Sequence, residues 1–271
     1  MGLNPNTRAL FFDVFGTCVD WRKSVTDELA RSAEEALNSS RASSISSPVR
    51  EAAKAKWGEL AQEWRNGYLK FTRALATGTI KGWKTVDEHH LESLHEILAA
   101  HGLIALQHDG KTADDTASLW TEQQLQELNL IWHRLAPWPD TCAGLHELNR
   151  NYATCTLSNG NVSLLKDMVA NGSMPFTHVY SAEMFQSYKP DPKVYLGAAE
   201  KMGVKPEECA LVAAHLDDLK AAKKCGFGAV YVERAREERH LEMREEGIPD
   251  VWVKEEEEGF VRVAQVLRGE K

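Results

Sequence analysis

Arg8-Ala9-Leu10-Phe11-Phe12-Asp13-Val14-Phe15-Gly16-Thr17 is a short apolar run that closes on a carboxylate and then turns. Unbroken apolarity over so few residues, with no polar alternation, is the pattern of a strand buried on both faces. Phe15-Gly16-Thr17 reads as the turn that ends it. In open α/β sheets, ligands bind just beyond the carboxyl ends of the strands. Asp13 is therefore expected at the functional edge of a parallel sheet.

Beyond Pro137-Trp138-Pro139 the chain alternates between strand and helix. Strands are expected at residues 153–157, 178–181, 209–213, 229–232 and 251–253, and helices at 193–202 and 217–225. Ser158-Asn159-Gly160-Asn161 reads as a turn that opens a further helix. Such alternation implies a parallel sheet covered on both faces. Residues 25–135, which separate the first strand from the others, have helical periodicity instead. Ala53, Trp57, Leu60, Ala61, Trp64, Tyr68, Phe71 and Leu75 form one apolar stripe, expected to be a single long helix with Pro48 near its start and Gly78 and Gly82 after its end. Residues 86–100 and 120–135 read as amphipathic helices, and polar residues 108–116 as a loop. The expected architecture is an α/β, Rossmann-like parallel-sheet core (residues 1–20 and 137–271) with an inserted helical cap domain (residues 21–136). The Trp57, Trp64, Tyr68 and Phe71 stripe is expected to be packing within the cap.

Four segments that can carry chemistry fall at junctions of this pattern. They are Asp13-Val14-Phe15-Gly16-Thr17, Ser158-Asn159-Gly160, Lys189-Pro190-Asp191, and Asp217-Asp218 after His215. D-x-x-G-T alone is weak, but all four in this order are specific. Together they resemble the motifs of the haloacid dehalogenase superfamily over residues 8–234. They are most similar to the type II (L-)2-haloacid dehalogenases, with Leu157-Ser158-Asn159-Gly160, Tyr188-Lys189-Pro190-Asp191 and Val212-Ala213-Ala214-His215 as matching stretches. The resemblance implies a hydrolase that converts short-chain 2-haloacids to 2-hydroxy acids through a covalent aspartyl ester.

Phe15 separates two activities of that superfamily. Its phosphatases carry a second aspartate two residues after the nucleophile, which protonates the leaving alcohol and then activates water. Phenylalanine can do neither, and a halide departs as a stable anion without a proton. The resemblance further implies that Asp13 is the nucleophile, Lys189 neutralises and orients it, and Thr17 hydrogen-bonds it. Asp218, favoured over Asp217 by the family spacing, would hold Lys189 or the hydrolytic water. His215 stands where one version of the family has asparagine, and would orient water or act as general base. Ser158 and the backbone after Asp13, at Val14 and Phe15, would bind the substrate carboxylate. Asn159 would contact substrate or halide, Arg65 would receive the halide, and Tyr195 matches a tyrosine near the site. Ser158 and Asn159 could also cap the following helix, and Trp83 could line a pocket.

The remaining composition narrows the alternatives. A net charge of −8 argues against nucleic-acid binding, which needs a basic footprint. No apolar run reaches the ~18 residues that span a bilayer. Met1–Leu10 lacks a secretory leader's pattern, so a cytoplasmic protein is expected. The acidic run Glu255–Glu258 reads as solvated surface. Cys18, Cys142, Cys155, Cys209 and Cys225 form no CxxC pair, so buried reduced thiols are expected rather than zinc or disulfides. No cofactor or metal is expected for the dehalogenase, and Mg²⁺ only for the alternative of a phosphatase on the same fold. A catalytically silent binding protein is the alternative outside enzymes. The expected partner is a small-molecule substrate, and related caps admit a homodimer.

Overall fold

A computed structural model describes residues 2–113 and 117–270. The first apolar run forms β1 (Ala9–Phe12), whose four side chains are wholly excluded from solvent. It pairs in parallel on both sides, with β2 (Ala153–Ser158) and β4 (Cys209–Ala213), as Phe11 aligns with Cys155 and with Leu211. β3 (His178–Ser181), β5 (Gly228–Val232) and β6 (Val251–Val253) complete a six-stranded parallel sheet in the order β3-β2-β1-β4-β5-β6. The chain winds from β1 out to β3, then restarts beside β1 at β4. That reversal opens a crevice at the carboxyl ends of β1, β2 and β4, where ligands bind in doubly wound sheets.

The chain divides into two compact units, one of Met1–Asp20, Thr72–Trp83 and Ala136–Lys271, the other of Trp21–Phe71 and Lys84–Leu135. Thr72–Trp83 thus group with the sheet although they lie inside the stretch read as helical from the sequence.

The helical unit is built from α1 (Trp21–Asn38), α2 (Ser47–Ala52), most of α3 (Trp57–Ala76), α4 (Val86–Ala100) and α5 (Glu122–Asn129). The single long helix expected over the Ala53–Leu75 stripe is two helices. The amides of Lys54 and Ala55 bond back three residues, to Glu51 and Ala52, and this tightened turn closes α2. The apolar spacing carries across the break: Ala53 on one side and Leu60, Ala61 and Trp64 on the other are all buried. The helix expected over 120–135 is also shorter: α5 is followed by a 3₁₀ turn over Leu130–His133. Thr85 with Glu88 and Thr121 with Gln124 form capping boxes that fix the starts of α4 and α5. Residues 114–116 of the expected polar loop lie outside the described residues.

The sheet unit carries α6 (Thr141–Leu148), α7 (Val162–Asn171), α8 (Pro192–Met202), α9 (Leu216–Lys224) and α10 (Gly259–Leu267). α6 and α10, which are not among the helices expected from the sequence, pack on each other so closely that a Cβ on Gly144 would lie 2.3 Å from Phe260 Cβ. Cys18, Cys155 and Cys209 are buried, Cys142 and Cys225 half-buried, and all five are free thiols. No helix among the described residues is long and apolar enough to cross a membrane.

Candidate active site

β1 delivers Asp13 to the reversal point of the sheet, where 8% of its surface is exposed. Each carboxylate oxygen is held by a donor. Oδ1 accepts from Lys189 Nζ at 2.9 Å; Oδ2 accepts from Thr17 Oγ1 at 2.8 Å and pairs with His215 Nδ1 at 3.0 Å. Burial by itself would raise the Asp13 pKa, but the charges and hydrogen bonds of Lys189 and His215 hold the carboxyl far below the usual carboxylate range. It stands ionised and nearly dry, as an attacking carboxylate requires.

Lys189 is placed from the backbone. Its N–H donates to Asn159 Oδ1 at 2.8 Å, and its carbonyl accepts from Asn159 Nδ2 at 3.3 Å. This links the turn after β2 to the segment before α8. The ammonium also donates to Asp218 Oδ2 at 2.5 Å. Burial opposes its charge, yet the two carboxylates drive the Lys189 pKa above its ordinary value. Asp218 Oδ1 accepts from the Tyr195 hydroxyl at 2.5 Å. The neighbouring Asp217 instead accepts the Asp218 amide at 3.0 Å and faces His240 at 3.8 Å. Of the two acids, Asp218 is the one joined to Asp13 through Lys189.

His215 follows β4 and is the N-cap of α9. Burial would neutralise it, but hydrogen bonds to Asp13 and Glu237 raise its pKa to about 10. An imidazolium cannot take a proton, so His215 cannot serve as a base while Asp13 is ionised. Thr17 accepts the Ala214 amide at 3.0 Å while donating to Asp13, which ties the β1 turn to the end of β4.

The remaining candidates are placed as follows. Ser158, fully buried, accepts the Gly160 amide at 3.3 Å, and Asn161 is the N-cap of α7, so neither Ser158 nor Asn159 caps that helix. Val14 and Phe15 are buried, and the Phe15 ring lies against Gly160. Tyr195 is fully buried, with its hydroxyl donating to Asp218. Trp83 is 36% exposed and stacks on Tyr188 at 4.8 Å. Arg65 belongs to the helical unit, where its guanidinium lies 4.5 Å from the Tyr68 ring centroid and 5.5 Å from that of Trp21. The structure thus joins Asp13, Thr17, Lys189, His215, Asp218 and Tyr195 in one bonded chain, with Asn159 attached at Lys189.

Several supporting residues are not among those expected from the sequence. Glu237 Oε2 lies 3.4 Å from His215 Nε2, and Glu237 is 5% exposed. Arg234 Nε donates to the Thr17 carbonyl at 3.1 Å, while its two terminal nitrogens grip Asp140 at 2.6 and 2.8 Å. Trp138 Nε1 donates to the Gly16 carbonyl at 3.0 Å and Thr141 Oγ1 to the Cys18 carbonyl at 2.8 Å. One signal was available: Arg234 and Glu237 closely follow β5, so they emerge at the same edge as the other strand ends.

The donor set does not fit a divalent cation. A cation between Asp13 and Asp218 would have to displace the Lys189 ammonium, which donates to both carboxylates. No group of three or more His, Cys, Asp or Glu side chains converges as a metal site among the described residues.

A family model described as haloacid dehalogenase-like hydrolase matches residues 7–226. The chain belongs to this family. Within the haloacid dehalogenase-like hydrolases it is 28% identical to (S)-2-haloacid dehalogenase 4A of Burkholderia cepacia over 232 residues, which is 84% of this chain and 83% of that protein. Among solved structures it is similar to an L-2-haloacid dehalogenase at 34% identity, covering 85% of this chain and 86% of the other with a TM-score of 0.69. It is also similar to a defluorinating L-2-haloacid dehalogenase at 30% identity, covering 98% of both chains with a TM-score of 0.79. The six-stranded parallel sheet flanked by helices is the fold of this family.

Proposed function

We propose that this hydrolase cleaves the carbon–halogen bond of short 2-haloacids and releases 2-hydroxy acids. The observation that carries the proposal is the environment of Asp13: an ionised, buried carboxylate between Lys189 and His215, with Phe15 where a proton donor to an alcohol would have to stand. The names of its relatives, (S)- and L-2-haloacid dehalogenases, support it.

In the first step Asp13 attacks C2, the C2–oxygen bond forms, and the halide leaves with the bonding electron pair. A carboxylate is a weak nucleophile in water. The dry surroundings and fixed orientation imposed by Lys189 and Thr17 therefore supply the rate. In the second step water adds to the Asp13 carbonyl carbon and the product oxygen departs. Asp218 and Tyr195 keep Lys189 charged and in place through both steps. The roles we propose elsewhere are those of substrate-carboxylate binding for Ser158 with the backbone of Val14 and Phe15, and of halide receipt for Arg65. Residues 21–136 would act as the cap domain. No step calls on a cofactor.

The test is halide release from chloro-, bromo- and fluoroacetate and from both 2-chloropropionate enantiomers, with and without EDTA. Wild-type protein should release halide in both conditions. Asp13→Asn should fold normally and lose activity by about 10⁴-fold or more, with mass spectrometry excluding deamidation. Phosphate release from phosphomonoesters that EDTA abolishes would establish the phosphatase reading in its place.

A further inference from the structure

We infer that Glu237 is a positioning residue for the second half of the reaction, orienting His215 so that its Nδ1 can take a proton from the hydrolytic water once Asp13 has become an ester. This deepens the proposal above and rests on Asp13 forming that ester.

Five groups alternate in charge across the site: Asp218, Lys189, Asp13, His215 and Glu237. Their successive closest approaches are 2.5, 2.9, 3.0 and 3.4 Å. His215 is the only member whose ring joins two carboxylates, with Nδ1 on Asp13 and Nε2 on Glu237. Glu237 is pressed into place: Gly16, at φ +84°, would put a Cβ only 2.0 Å from Glu237 Oε2. The nucleophile turn therefore tolerates no side chain where this carboxylate lies. Other charged groups nearby are Glu238, whose carboxylate accepts the Leu216 amide at 2.7 Å, and Arg234 on the Thr17 carbonyl.

The chemistry follows from the change of charge at Asp13. Ester formation removes the anion that Nδ1–H faces, while Glu237 continues to hold Nε2–H. The imidazolium then sheds its Nδ1 proton to solvent. That is the single proton required by the net reaction, in which haloacid and water give hydroxy acid, halide and H⁺. The neutral ring is left as the Nε2–H tautomer with the Nδ1 lone pair facing the ester. As the water oxygen bonds to Asp13 Cγ, one of its protons passes to Nδ1. The bond from Cγ to the oxygen that Asp13 had placed on C2 breaks, that oxygen takes the proton of the added hydroxyl and leaves as the product's hydroxyl, and the water oxygen stays on Asp13. Asp13 returns as a carboxylate and His215 as an imidazolium, so the starting state is restored. A carboxylate that orients a histidine and selects its tautomer is the arrangement of hydrolytic triads, here with water in place of the serine.

The isosteric variant Glu237→Gln preserves the packing on Gly16 and removes the charge. With a haloacid substrate it should give a halide burst of one equivalent at near wild-type rate. Steady-state turnover should then be slower by about 10²-fold, the aspartyl ester should accumulate in intact-protein mass spectra, and Glu237→Asp should recover part of the loss. In the resting protein, ¹⁵N NMR should show the His215 titration moved to lower pH in Glu237→Gln. Unchanged turnover with no accumulated ester, or an unmoved His215 titration, would overturn the assignment of Glu237 while leaving the dehalogenase proposal intact. Absence of halide release and of any ester in the wild-type protein would overturn the dehalogenase proposal, and the role of Glu237 with it.

Discussion

His215 at the edge of the sheet and His90 on α4 of the helical unit are both withdrawn from water, with 9% and 0% of their surfaces exposed. His215 lies between two carboxylates and its pKa rises to about 10. His90 lies among rings, stacked on Trp132 at 4.4 Å and close to Trp64 and Tyr68 at 5.8 and 5.5 Å, and neither of its ring nitrogens has a hydrogen-bond partner among the described residues. Burial, reinforced by the positive charges of its neighbours, drives its pKa well below the ordinary histidine value. Burial thus acts in the same direction at both sites, and the partners decide the outcome. The edge of the sheet holds charge because each charge faces its opposite. The rings around His90 keep it neutral because they offer it no anion.

The sharpest way to break this comparison is to delete the cation at the sheet edge. His215→Phe would leave Asp13 and Glu237 buried without the group between them. Removing one partner of a buried ionic network costs about 3–5 kcal/mol, and that loss of unfolding free energy is expected in urea titrations at pH 7. A loss below ~1 kcal/mol would mean that other partners of Asp13 and Glu237 already offset their charges.

Next in size is the dependence of stability on pH. A histidine whose pKa is raised on folding contributes stability that is complete below the unfolded value of ~6.5 and is lost as pH climbs to its folded value of about 10. A histidine whose pKa is lowered on folding contributes stability that is complete above that unfolded value and is lost as pH falls below it. The wild-type protein should therefore weaken on both sides of neutrality, each limb approaching about 1.4 kcal/mol per pH unit from its own histidine. Replacing His215 should flatten the alkaline limb, and replacing His90 should reduce the acid one, to which His89, also lowered by burial, adds. The carboxyl of Asp13, held far below the usual range, enters only at lower pH. An alkaline limb that survives His215→Gln would assign it to another group.

How much of this could be read in the sequence follows the same division. The bonded chain at the sheet edge was legible because its members occupy strand ends: Asp13 after β1, Asn159 after β2, His215 after β4. An apolar run followed by a polar residue marks such positions without reference to tertiary structure. Glu237 was not legible, because it sits in the charged stretch Arg234–His240, where a site carboxylate and a surface carboxylate look alike until the fold presses one of them onto Gly16. The roles of Tyr195 and Asn159 were obscured for another reason. Sequence marks them as polar groups near the site but does not show that one bonds Asp218 and the other the backbone of Lys189. In the helical unit, periodicity located the apolar face but not the break between α2 and α3, because a turn stabilised by backbone bonds leaves no mark on the apolar spacing.

The smallest effect is expected where the helical interior is tested with the substitution that should be costly at the sheet edge. His90 has two desolvated ring nitrogens with no hydrogen bonds to lose, so its polarity contributes nothing to folding, while its ring area contributes stacking on Trp132. Phenylalanine keeps the ring and removes the buried polar atoms, which favours the folded state. It is also slightly larger, and overpacking in a close-packed aromatic box opposes that gain. The two terms are comparable, so His90→Phe should change the unfolding free energy by no more than about 1 kcal/mol in either direction, against the loss of several for His215→Phe. A loss above ~2 kcal/mol at His90 would show that its nitrogens are satisfied by ordered water inside the box. The His90 contribution to the acid limb would then be missing from the wild-type curve as well, because a hydrated imidazole can accept a proton that a dry one refuses.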